Sequence, residues 1–227
     1  MKKTLRILLA AVLCFALLAT FVGADGGNKI GVHHEENGLA AFVDAPAADS
    51  WKYQGLNCAV ENGVMNGHEN KLRPDDNLTR AEMVAMMVRV LGAHTIKADI
   101  EKYIDIALNA WYYDTMQSGV AIKIINGAGN KMMPTDSITR EQTFAILART
   151  FLQTENDKSV ANKFKDANAV ADWAKSATNA LIESGVVLGD TTNTIRPKAN
   201  VTRAEFAKYL VYSKGMKANV SGFSGNQ

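Results

Sequence analysis

Apolar residues recur along this chain at spacings near three and four, in segments of helical length separated by stretches rich in Gly, Asn, Asp and Pro. One kind of segment carries Trp51, Leu56, Ala59 and Val60, and again Trp173, Ala177, Ala180 and Leu181. A second kind carries Val84, Met87, Val88 and Leu91, then Phe144, Leu147, Ala148 and Phe151, then Phe206, Leu210 and Val211. The spacing predicts helices that alternate with reversing loops, hence a mainly α fold. Helices of the first kind should start near Asp49-Ser50, Asn109-Ala110 and Asp172, which offer capping side chains. Gly63 and Gly185 follow two of them as left-handed C-caps; Lys123 stands at that place in the third, which either ends differently or strains its backbone. Met83, Met86 and Met87 could floor a promiscuous peptide groove, but gap-filling core methionine is the simpler reading.

Helices of the second kind open on Thr79-Arg80-Ala81-Glu82, Thr139-Arg140-Glu141-Gln142 and Thr202-Arg203-Ala204-Glu205. Thr is an N-cap, and Glu or Gln three residues later reaches back to the cap's own N–H, a capping box. Pro74, Pro134 and Pro197 each precede that Thr by five residues. The tetrapeptides belong to a longer repeat of about sixty residues. Its landmarks are Phe42-Val43-Asp44, Trp51, Asn66-Gly67 and Pro74; Tyr103-Ile104-Asp105, Trp111, Asn126-Gly127 and Pro134; Phe164-Lys165-Asp166, Trp173, Leu188-Gly189 and Pro197. Gly and Pro are seven, seven and eight residues apart. We divide the chain into copies at 42–95, 103–154 and 164–215, each helix, loop, helix. One such unit buries too little by itself, so the copies should share a core.

Arginine at the first helical position lies beside the partial positive charge of the helix end, where a basic side chain is disfavoured. The placement, made three times, calls for an anion.

Composition adds limits. The chain has 227 residues, 47% hydrophobic and 21% charged, an ordinary globular balance for one or two domains. Residues 1–24, with Lys2, Lys3 and Arg6 ahead of an apolar run and Val22-Gly23-Ala24 at its end, read as a secretory signal peptide. An uncleaved membrane anchor is the rival, but the run from Ile7 to Val22 is shorter than the ~20 residues that span a bilayer. Removing the three positive charges of this segment turns +2 into −1, which takes the main support from a nucleic-acid partner. Cys14 would leave with it and Cys58 would remain without a disulfide partner. Residues 25–41 read as a linker and 216–227 as a frayed tail. His33-His34-Glu35-Glu36 lacks the spacing of a formed metal site and reads as a solvated run.

The ordered triple set of Phe/Tyr-x-Asp, Trp, Asn-Gly or Leu-Gly, Pro loop and Thr-Arg-Ala-Glu closely resembles the S-layer homology domain, over about Phe42 to Gly215. The resemblance implies a pseudo-threefold assembly: three helix-loop-helix repeats around a central three-helix bundle, with grooves between the repeats. It also implies non-covalent attachment of an exported protein to secondary cell-wall polysaccharide through a pyruvylated amino-sugar, hence a place in the cell wall or S-layer. An arginine fork at a helix N-terminus suits the ketal carboxylate. The candidate ligand residues are Arg80, Arg140 and Arg203; Asp44, Asp105 and Asp166; Trp51, Trp111 and Trp173 as sugar platforms; and Gly67, Gly127 and Gly189, where the backbone could approach closely. Two readings of each stay open. The arginines could pair with the aspartates as internal struts, and the tryptophans could be packing residues.

The copies are unequal. Glu141 adds a carboxylate beside Arg140 that could compete with an anion, and Leu188 replaces Asn in copy three, so Arg80 is the first choice and three equivalent sites are not expected. Competing functions are a wall-active hydrolase, for which no carboxylate pair or nucleophile-base set stands out, and a peptidoglycan- or protein-binding module of the same fold. No cofactor is expected. Calcium could meet Asp190 and Asn193, but their spacing is not that of a formed calcium loop, and no metal site is assigned. Whether the chain stands alone, docks a partner or is a fragment of a longer product stays open.

Overall fold

The computed structural model describes residues 38–152 and 159–214. The chain divides into a segment Met1–His33 and a unit His34–Gln227, and every described residue belongs to the second. The signal peptide, the His33-His34-Glu35-Glu36 run and the tail 216–227 lie outside the described residues. Gly38–Ala41, at the end of the stretch read as a linker, form a tight turn that buries Leu39 in the core.

Six α-helices follow: α1 (Tyr53–Glu61), α2 (Arg80–Leu91), α3 (Tyr113–Ala121), α4 (Arg140–Leu147), α5 (Asp172–Glu183) and α6 (Arg203–Lys214). A wider turn, Ala148–Leu152, prolongs α4. The described residues form no extended strand, only isolated bridges, and none of their helices is long and apolar enough to cross a membrane.

The second helix of each copy starts where its Thr predicts. Thr79 and Thr139 close full capping boxes with Glu82 and Gln142, and Thr202 exchanges the same two bonds with Glu205. The first helices start differently. α1 and α3 begin three to four residues beyond the Ser50 and Asn109-Ala110 caps expected for them, after tight turns closed by Tyr53 N–H to Ser50 O and Tyr113 N–H to Ala110 O. Asp172 is the first residue of α5, not its cap, and pairs with Lys175 one turn on. Backbone turns carry the entry, and Ser50 Oγ adds a bond from the Lys52 N–H (3.3 Å) just ahead of α1. At the other ends Gly63 (φ +63°) and Gly185 (φ +77°) are left-handed as expected, and Lys123 takes the same conformation (φ +61°).

Each second helix packs on the first helix of another copy: α2 on α3, α4 on α5, and α6 on α1. Small residues allow the approach. Gly119 of α3 faces Val84 of α2, and Gly55 of α1 lies against the backbone of Lys208 in α6 with no room for a Cβ. The loops are tied in a closed cycle in which Leu78 N–H donates to Val201 O, Val201 N–H to Ile138 O, and Ile138 N–H to Leu78 O, at 2.9–3.0 Å. All three side chains are buried, so one core runs through the three copies. Met83 and Met87 belong to it, as does the neighbourhood of the buried free thiol Cys58.

Candidate functional site

Arg80, Arg140 and Arg203 each open a helix, and each side chain leaves its own copy. Arg80 donates to Met132 O (3.0 Å) and Asn126 O (3.2 Å) in copy two. Arg140 donates to Ile195 O (2.7 Å) and Glu205 (2.8 Å) in copy three, stacked over Phe144 and Tyr209. Arg203 donates to Leu72 O (2.8 Å), Asn66 O (3.1 Å) and Glu82 (3.1 Å) in copy one. The charge that looked misplaced at the helix start is therefore met mostly by backbone carbonyls of a neighbouring copy.

The aspartates do not bond these arginines. The Asp44 carboxylate accepts the N–H groups of Leu72 and Arg73, Asp105 those of Met132 and Met133, and Asp166 those of Ile195 and Arg196, at 2.7–3.1 Å. In each case the second residue precedes the proline and is left-handed without being glycine: Arg73 (φ +54°), Met133 (φ +52°) and Arg196 (φ +48°). A carboxylate that collects two successive N–H groups holds that unfavourable turn in place. Burial pushes the Asp44 carboxyl up, but the N–H groups of Leu72 and Arg73 outweigh it and leave it below the usual range. Gly67, Gly127 and Gly189 are close to protein: a side chain there would collide with the rings of Phe42, Tyr103 and Phe164. Those rings and aspartates are thus two ends of one device that clips each copy's entry segment to its loop.

Trp51, Trp111 and Trp173 are exposed by 53%, 64% and 59%, which excludes them as core residues. Trp111 forms one wall of a cavity of about 620 Å³ between copies one and two. The α2 side supplies Ala81, Glu82, Ala85 and Arg89; the loop of copy one adds Gly67 and Arg73; copy two adds Pro134 and Thr135; and Arg203 enters from copy three. Three arginines and one carboxylate line the cavity. Burial pushes the Glu82 carboxyl up, yet the Thr79 N–H and the Arg203 guanidinium hold it below its ordinary value, so it is ionised and bonded to Arg73 and Arg203. Arg89 donates to Val64 O, and burial alone pushes its guanidinium down. The cavity keeps an excess of positive charge next to a flat aromatic face.

Of the residues singled out in the sequence, Gly67, Trp111 and Arg203 meet in this cavity; Arg80, Arg140, Asp44, Asp105, Asp166, Trp51, Trp173, Gly127 and Gly189 do not line it. Arg73 and Arg89 were missed. Both had a signal: Arg196 also precedes its copy's proline, and Arg149 stands nine residues after Arg140 as Arg89 does after Arg80. Glu141 does not bond Arg140 beside it; both side chains reach copy three, where Glu141 pairs with Lys198 (2.6 Å) and accepts the Ala171 N–H (3.0 Å). Asp190 is taken up by Thr192, Thr194 and Arg196, and the Asn193 side chain donates to Lys163 O; no cluster of His, Cys, Asp and Glu able to hold a metal occurs among the described residues.

The model of the S-layer homology domain matches residues 41–84 and 163–207. An S-layer protein of Bacillus thuringiensis subsp. finitimus is 31% identical over 172 residues, 75% of this chain and 21% of that protein. An amylopullulanase of Thermoanaerobacterium thermosulfurigenes is 30% identical over 166 residues, 71% of this chain but 9% of the enzyme. A cellulosome-anchoring protein of Acetivibrio thermocellus is 28% identical over 141 residues, 59% of this chain and 31% of that protein. The chain therefore spans about a third or less of the length of these relatives.

Proposed function

The chain belongs to the S-layer homology domain family, and from that premise we propose that it is a non-catalytic module that anchors its protein at the cell surface by binding an anionic wall polymer. The observation that carries this reading is the cavity of about 620 Å³ in which Arg73, Arg89 and Arg203 outnumber Glu82 beside exposed Trp111. A pyruvylated amino-sugar of secondary cell-wall polysaccharide has the complementary chemistry. Its ketal carboxylate would take the unused donors of the arginine forks, and its ring face would lie on the indole.

Residues 103–154 form, on this reading, a third repeat of the family. Its Asp105 clip, Arg80 acceptors and Thr139 capping box repeat those of the flanking copies. The cycle of Leu78, Val201 and Ile138 supports a pseudo-threefold arrangement with inter-repeat grooves. Asp44, Asp105, Asp166, Gly67, Gly127 and Gly189 then act as positioning residues that shape the groove walls. Arg80 and Arg140 join copies, with Trp51 and Trp173 as further aromatic faces.

The test is co-sedimentation of the purified chain with wall sacculi of its own source, before and after mild-acid removal of pyruvyl ketals. Binding should vanish with the ketals and weaken in salt. Trp111→Ala and Arg203→Lys should each lower affinity about tenfold or more while helical content is kept. Binding that survives acid would redirect the reading to peptidoglycan or a surface protein, and release of soluble sugar would make the chain an enzyme.

A further inference from the structure

Beside the arginines, two positions set the inter-copy grooves apart. In the first groove, where Ala81 N–H bonds Pro134 O, they are Ala81 and Thr135, and both line the cavity. In the second, where Glu141 N–H bonds Pro197 O, they are Glu141 and Lys198. In the third, where Ala204 N–H bonds Pro74 O, they are Ala204 and Asp75.

The same backbone frame thus carries three different contents. Glu141 is only 5% exposed, and its carboxylate takes Lys198 Nζ at 2.6 Å on one oxygen and the Ala171 N–H at 3.0 Å on the other. Ala171 lies two residues before Trp173, so the strap ties the start of α4 to both facing walls. A carboxylate held by an ammonium and a backbone N–H is what an acidic ligand would be in that place. In the third groove Asp75 brings a negative charge, itself held by Lys52 Nζ at 2.5 and 2.7 Å. A seat filled by Glu141, or one that presents Asp75 where the first groove has Thr135, is less open to a further carboxylate.

We propose that the anionic sugar is taken by the first groove alone, and that Glu141 is an internal occupant that keeps the second one closed. This rests on the anionic-polymer reading above. Glu141→Ala restores the residue the other two copies carry and frees Lys198, so the second groove gains both space and a cation.

The experiment is calorimetric titration of the full chain with the methyl glycoside of pyruvylated N-acetylmannosamine. The wild type should bind one equivalent and Glu141→Ala two. Glu141→Gln, which keeps the volume and the bond to Ala171, should stay at one. The reciprocal variant Ala81→Glu with Thr135→Lys moves the strap into the first groove and should abolish binding with the fold retained. A wild type that binds two or three equivalents, a Glu141→Ala protein that stays at one, or a reciprocal variant that still binds would overturn the single-groove assignment and leave the polymer reading standing. No binding by the wild type would remove both.

Discussion

Asp44, Asp105 and Asp166 do the same work in three places: each receives two consecutive N–H groups and so fixes a left-handed, non-glycine residue ahead of a proline. The sign of the pH dependence follows from two of the depressed carboxyls, those that are partly buried. Asp44 and Glu82 lie below their ordinary values in the folded chain, so the stability they give is fully present above the unfolded range near pH 4 and is lost as pH falls through the folded values. Thermal unfolding followed from pH 7 to pH 2 should show a falling midpoint below about pH 4. Asp44→Asn should start from a lower midpoint at neutral pH and fall less steeply; an unchanged slope would show that the clip is not an ionic one. The recurrence of Asp at all three positions then has a reason in charge, since two N–H dipoles converge on one group.

At the scale of the element, the second helices are specified locally and the first ones are not. Thr139 accepts from Gln142 N–H while Gln142 returns to Thr139 N–H, so α4 is closed by residues three apart. Thr139→Ala should therefore cost about 1 kcal/mol in a denaturant titration, with the α4 arginine still in place. A much larger loss would mean that the Thr139 side chain does more than cap the helix. The first helices lack side-chain caps, and the starts of α1 and α3 are set by turns that leave Trp51 and Trp111 outside the helix, with Trp111 on the cavity wall. Trp173 lies inside α5 and is equally exposed, so the position of the helix start does not by itself decide the exposure of the indoles. The left-handed Lys123 stands where the other copies have glycine, and Ile124 N–H closes back on Gly119 O behind it.

At the scale of the molecule, no copy completes itself. α6 covers α1, and Arg203 reaches the loop of copy one at Leu72, Asn66 and Glu82. A chain ended after Val201 should lose cooperative thermal unfolding altogether, rather than only the helical signal of the missing segment, when followed by circular dichroism. A sharp transition with proportionate helicity would show that the first two copies stand without the third. The excess of arginine over carboxylate in the first groove is likewise shared between copies, since Arg73 and Arg89 come from copy one and Arg203 from copy three.

The sequence by itself determined the mainly α content, the period, the Thr caps, the left-handed residues at Gly63 and Gly185 and the arginines at the helix starts, because each depends on neighbours within a turn or on plain repetition. The need of those arginines for a partner was also legible in it. The partner was not: Arg80 finds Asn126 O across 46 residues and Arg203 finds Asn66 O across 137, and a backbone carbonyl carries no residue type that a sequence could display. Only the tertiary structure could turn the aspartates into loop clips, send Glu141 to Lys198 and gather three arginines beside Trp111. Those outcomes depend on which copy packs against which, and that is set by burial of α1 under α6, α3 under α2 and α5 under α4 rather than by any local pattern.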